Sequence, residues 1–294
     1  MLEIFTPVFP LPGFEFRALA AVAFTAAAAY YYIFNRKWLP DYIAYAAVGL
    51  SLAANLLFFS QAVFLQAIIF GSAIFLPTYF LYRAGQLGGA DVYVLTGIAS
   101  AIPFLPAPLL SPQQHVPYPF ILSVLVPTGL AFILHMLLRF IPKMARALSH
   151  GEIRLGAARF LEALALCAVL VVFAKMLSTL PIPLPQSYLA VFAVLAASLF
   201  FFSTFKREIK ASMAEMVNSS DLAEEDVLAM EQIDPKTAKA LSLAPLLDKA
   251  MIARVKKSRI KALPVYTGMP FFLPYLLFGL LFALLFGDVF FLLS

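Results

Sequence analysis

LGGADVYVLTG, residues 87–97, decides how the rest of the chain is read. It puts a lone carboxylate, Asp91, at the mouth of an apolar segment. An ionisable group at the edge of a membrane helix is costly, so it marks a functional site by default. Gly88 and Gly89 allow close backbone approach beside the acid. A carboxylate, a glycine-rich turn and a membrane helix together point to acid–base chemistry on a peptide bond near the bilayer surface. The competing reading is a tight turn in which Asp91 caps its own helix.

The surrounding sequence is strongly apolar. Of 294 residues, 63% are hydrophobic and 13% charged, with a mean hydropathy of +0.91; a soluble domain carries about 25% charged residues. Apolar runs near the ~20 residues a bilayer requires are expected at 14–34, 41–59, 61–82, 92–110, 119–141, 158–180, 186–204 and 269–293. The expected fold is all-α: a polytopic membrane helix bundle of about eight spans with a small cytoplasmic segment. Its expected divisions are a bundle at 1–204, a cytoplasmic subdomain at 205–264 and a final transmembrane helix at 265–294. Pro103, Pro106 and Pro108 should end the fourth helix.

Charge placement gives an orientation. Arg36, Lys37, Arg83, Arg139, Lys143, Arg146, Arg154, Lys206, Arg207 and Lys210 follow alternate spans, whereas the connectors 111–118 and 181–185 carry no charge. Basic loops stay in the cytoplasm. Both termini are therefore expected outside, with Asp91 at the cytoplasmic face. The amino terminus starts acidic, with no basic region of the kind that precedes a cleavable signal. Residues 205–264 hold 11 of the 21 basic and 9 of the 16 acidic residues. Within them, Ser220–Glu225 reads as a helix start with acids in its first turn. The basic run Ala253–Lys261 reads as an anchor at the membrane surface.

The single cysteine, Cys167, excludes an intrachain disulfide. His115, His135 and His150 are far apart and read as packing or interfacial residues. No metal, cofactor or nucleic-acid partner is expected. Aspartic proteolysis needs two carboxylates that share a proton, one activating water and the other polarising the scissile carbonyl. Besides Asp91, the acids outside the polar segment after Glu15 are Asp41, Glu152, Glu162 and Asp288.

Three stretches resemble one family. LGGADVYVLTG is similar to the Gly-x-(Gly/Ala)-Asp motif of archaeal prepilin and preflagellin peptidases, relatives of bacterial type IV prepilin peptidases. NRKWLPDYIAY (Asn35–Tyr45) resembles the segment after that family's first catalytic aspartate. GMPFFLPYLLFGLLFALLFGD (Gly268–Asp288) resembles its last helix. The resemblance covers 18–145 and 265–294, leaving the sixth and seventh spans as additions. It implies a membrane aspartic endopeptidase that cuts the basic leader from prepilin or preflagellin precursors at the cytoplasmic face. Asp91 would be the second catalytic aspartate, and Gly88, Gly89 and Ala90 would border the substrate.

Two positions depart from that pattern. The first aspartate would fall seven residues before Pro40, where Ile33 stands. A lysine frequent two residues beyond the second aspartate is Tyr93 here. Three explanations stay open: a change introduced at position 33, a homologue that has lost proteolysis, or Asp41 taking over. The last requires a shift of ~12 Å along a helical path. The rival to an active peptidase is a non-catalytic pilin-binding or assembly protein that keeps the fold. A solute transporter ranks last, because no internal repeat and almost no mid-membrane charge are visible.

Overall fold

The computed structural model describes residues 10–34, 40–105, 108–110, 118–151, 156–178, 188–224, 226–258, 260–267 and 271–289. Helices stand in all eight expected segments: α1 (Phe14–Phe34), α2 (Asp41–Leu57), α3 (Gln61–Arg83), α4 (Gly89–Ala101), α5 (Phe120–Ser149), α6 (Ala157–Ser178), α7 (Tyr188–Thr204) and, last in the chain, α11 (Leu273–Phe286). Between α7 and α11 lie α8 (Lys206–Met213), β1 (Ala214–Asn218), α9 (Pro235–Ala240), α10 (Lys249–Lys257) and β2 (Ala262–Tyr266). By length and composition, α1, α3 and α5 can each cross a membrane, and α7 with α8 forms one further candidate span bent by 73°. The chain divides into two compact units. One gathers 12–103 with 210–274; the other gathers 104–209 with the chain from Tyr275 onward.

In the first unit α4 is the central element, packed by α1, α2 and α3. It has 13 residues and rises only ~20 Å, short of the ~30 Å hydrocarbon layer. Nine of those residues, including Asp91, are buried, so its neighbours rather than lipid cover it. It starts before the expected 92–110, at Gly89, and is shorter because it ends at Ala101, just before Pro103. Gly97 permits the crossing with α2: a Cβ there would stand 2.9 Å from the Ala47 carbonyl oxygen. The Ser51 hydroxyl on α2 donates to the Gly97 carbonyl at 2.6 Å.

Arg17 clasps the other end of this bundle. Its side chain is fully buried. Nε donates to Pro12 O at 2.8 Å, and Nη1 donates to Asn55 Oδ1 at 2.7 Å and Ala101 O at 2.9 Å. Nη2 donates to Ala54 O at 3.3 Å. A guanidinium at the carboxyl ends of α2 and α4 satisfies carbonyls the helices cannot, and complements their dipoles.

The polar segment is a small α/β fold. β1 and β2 pair antiparallel, Ala214 opposite Tyr266, over a core of Leu228, Leu247, Met251, Val255, Leu263 and Val265. Asp248 caps α10 by accepting the Met251 N–H at 2.6 Å. The helix start expected at Ser220–Glu225 is replaced, over its described residues, by a turn and irregular chain. Asp226 accepts the Ala223 N–H, and the chain then bridges Val227 to Leu246 and Leu228 to Val265. Burial of these apolar residues overrides the local helix signal. Glu231 accepts from Lys210 at 2.8 Å and Tyr266 at 2.6 Å. Burial opposes its ionisation, but these donors outweigh it and hold the carboxyl at about 2.

In the second unit α6 packs on α7, and Gly279 lets α11 approach the backbone of α5 at Val124 and Thr128. Asp288 is fully buried and accepts from Tyr118 and, at 3.2 Å, from Ser123.

Candidate functional site

The turn between α3 and α4 builds the site. Gly85, at φ +69°, reverses the chain, and Gly88 is the N-cap of α4 in extended conformation. Asp91 is the third helical residue, not the cap. Its Oδ2 accepts the Gly88 N–H at 2.9 Å, which is the carboxylate half of a capping box. Asp91 is 4% exposed; Gly88, Gly89 and Ala90 are half-buried.

The Cβ side of Gly88 is occupied. A side-chain carbon there would meet the Tyr32 hydroxyl at 2.6 Å and Asp91 Oδ2 at 3.2 Å. Absence of a side chain at 88 thus lets a phenol from the end of α1 reach the turn that holds the carboxylate. The Tyr32 ring packs edge-on against Phe271, with centroids 5.3 Å apart. Phe271 belongs to the stretch that resembles the family's last helix. Tyr93 packs edge-on with Tyr45 at 5.1 Å, so aromatic packing replaces the positive charge that a lysine would bring.

The sequence-derived residues are distributed unevenly around this point. Gly88 and Asp91 are in direct contact. Ile33 lies in the last turn of α1, with its side chain 53% exposed. Asp41 opens α2, but its side chain lies outside the described residues, as do Glu152 and His115. Glu162 is exposed on α6, and Asp288 is engaged by Tyr118 and Ser123 within the second unit. His135 packs on Tyr275, His150 contacts the Arg146 carbonyl, and Cys167 donates to Ala196 O. Among the described residues, no three His, Cys, Asp or Glu side chains gather closely enough to hold a metal ion. A cavity of about 270 Å³ lies farther along α4, lined by Asn55, Phe64, Gly71, Thr96 and Ser100 among others.

Sequence reasoning missed Tyr32 and Arg17. Tyr32 is hidden in the run Tyr30–Tyr32, which reads as an interfacial aromatic belt. Arg17 had a usable signal, since it is the only basic residue within the first apolar segment.

Residues 19–141 match the family model of the type IV leader peptidase family. That span contains most of α1, all of α2 to α4, and Asp91. No curated protein and no solved structure matches the chain. Residues 19–141 are therefore similar to the type IV leader peptidase family, within a chain whose long apolar helices are of the kind that cross a membrane.

Proposed function

We propose that the chain binds precursors of the type IV prepilin or preflagellin kind at its cytoplasmic face, with Asp91 as the working carboxylate. The observation that carries this reading is the buried Asp91, fixed on the Gly88 turn inside the family-matched region. Such a carboxylate can take a proton from water poised at a scissile amide. Position 33 offers no second acid, so the chain holds precursors and cleaves them weakly or not at all. This favours the binding and assembly role over efficient processing. The basic connectors would put Asp91 and residues 205–264 in the cytoplasm, where a basic leader waits.

The test is association in detergent between the purified chain and a precursor bearing its basic leader, compared with the mature form lacking it. Selective retention of the leader-bearing form is expected, and it should survive Asp91→Asn. Equal retention of both forms would overturn the reading.

A further inference from the structure

We propose that the Tyr32 hydroxyl is the second hydrogen-bonding group of this site, the donor that would meet the scissile carbonyl oxygen as Asp91 activates water. The inference rests on the leader-precursor reading above. Three observations carry it. The Tyr32 hydroxyl and Asp91 Oδ2 lie 2.6 and 3.2 Å from one point, the place a Cβ would take at Gly88, so the two groups converge on one side of the turn. Phe271 holds the Tyr32 ring edge-on, which limits the directions its hydroxyl can reach. Ile33, the residue next along α1, has an exposed aliphatic side chain and can donate nothing.

The chemistry balances with water as the only co-reactant. The Asp91 carboxylate takes a proton from water as the water oxygen bonds to the scissile carbon. The carbonyl π bond opens, and the negative oxygen accepts a hydrogen bond from the Tyr32 hydroxyl. Asp91 then passes its proton to the amide nitrogen as the C–N bond breaks. The leader leaves as a carboxylic acid and the helix keeps a free amine. A phenol cannot share a proton with Asp91 as a second carboxyl would, but it can stabilise an oxyanion. One such donor is worth about 10²–10³ in rate. Tyr32 therefore makes the site selective for the tetrahedral state without making it a carboxylate dyad.

The experiment uses the full chain in detergent and two peptides, each a basic leader followed by an apolar helical segment. One keeps the amide at the junction; the other carries a difluoromethylene ketone there, which hydrates to a tetrahedral diol. The parent chain should bind the ketone at least tenfold tighter than the amide. Tyr32→Phe should erase that preference while changing amide affinity by less than about twofold. An unchanged preference in Tyr32→Phe, equal binding of the two peptides by the parent, or equal loss of both in the variant would each overturn the role of Tyr32. Binding of neither peptide by the parent would instead overturn the leader-precursor reading.

Discussion

Replacing Gly97 with alanine should loosen the bundle that holds Asp91, and the size of the effect follows from the α2–α4 crossing. The new Cβ would stand 2.9 Å from the Ala47 oxygen, 3.0 Å from its carbonyl carbon and 3.1 Å from its Cβ. Two of these atoms are backbone and cannot rotate aside, so the helices must separate by a few tenths of an ångström. Overpacking of this kind costs about 1–3 kcal/mol. Strain on the 2.6 Å bond from Ser51 to the Gly97 carbonyl adds up to about 1 kcal/mol. Alanine returns about 1 kcal/mol of helix propensity, leaving a net loss of about 0–3 kcal/mol, about 1.5 at its centre. Gly49, in the same unit on α2, is the control, because a Cβ there meets nothing within 4 Å. Gly49→Ala should therefore gain up to about 1 kcal/mol. The assay is the fraction of monodisperse protein surviving graded heating in detergent. Gly97→Ala should lower the midpoint and Gly49→Ala should hold or raise it. A midpoint for Gly97→Ala at or above that of the parent would refute the close crossing.

Three further outcomes follow from other parts of the fold. Arg17→Ala should cost about 2–5 kcal/mol, since it empties a buried space and leaves the Ala54 and Ala101 carbonyls and the Asn55 Oδ1 without their donor; heat survival equal to that of the parent would show that the clasp is dispensable. Glu231 has its carboxyl lowered from 4.5 to about 2, so its contribution to stability is complete above pH 4.5 and is lost as pH falls toward 2. Protease resistance of the segment around β1 and β2 should fall over that window in the parent and less in Glu231→Gln, and identical profiles would remove Glu231 as a cause. A reporter inserted near Asn218 should behave as cytoplasmic, and an external signal would reverse the proposed orientation.

The helical segments were legible because apolar runs and prolines act locally. Pro103 follows the end of α4 closely, and α1 spans the whole of its expected segment. Asp91 stood out in the sequence because a carboxylate at the mouth of an apolar run is costly. Its place in the helix was not legible, because whether Gly88 or Asp91 caps α4 depends on backbone angles that sequence spacing leaves open. The β1–β2 pair was hidden for a different reason. Its pairing joins Ala214–Asn218 to Ala262–Tyr266, a long-range contact that no window of local sequence contains. Tyr32 escaped notice because the residue facing Gly88 is set by the packing of α1 on α4. The family pattern directs attention one residue further along, to Ile33.

We propose Asp91 as the working carboxylate of a leader-peptide site left incomplete at position 33. The most direct measurement is gel-shift processing, in detergent, of a precursor with a basic leader by the parent chain, Ile33→Asp, and Ile33→Asp combined with Asp91→Asn. Position 33 is exposed, so an aspartate there adds a carboxylate without burying it in the core. The expected result is faint or no processing by the parent, clear processing by Ile33→Asp, and loss of that gain when Asp91→Asn is added, because paired acids act as a unit. Robust processing by the parent chain that persists in Asp91→Asn would rule out Asp91 as the working carboxylate.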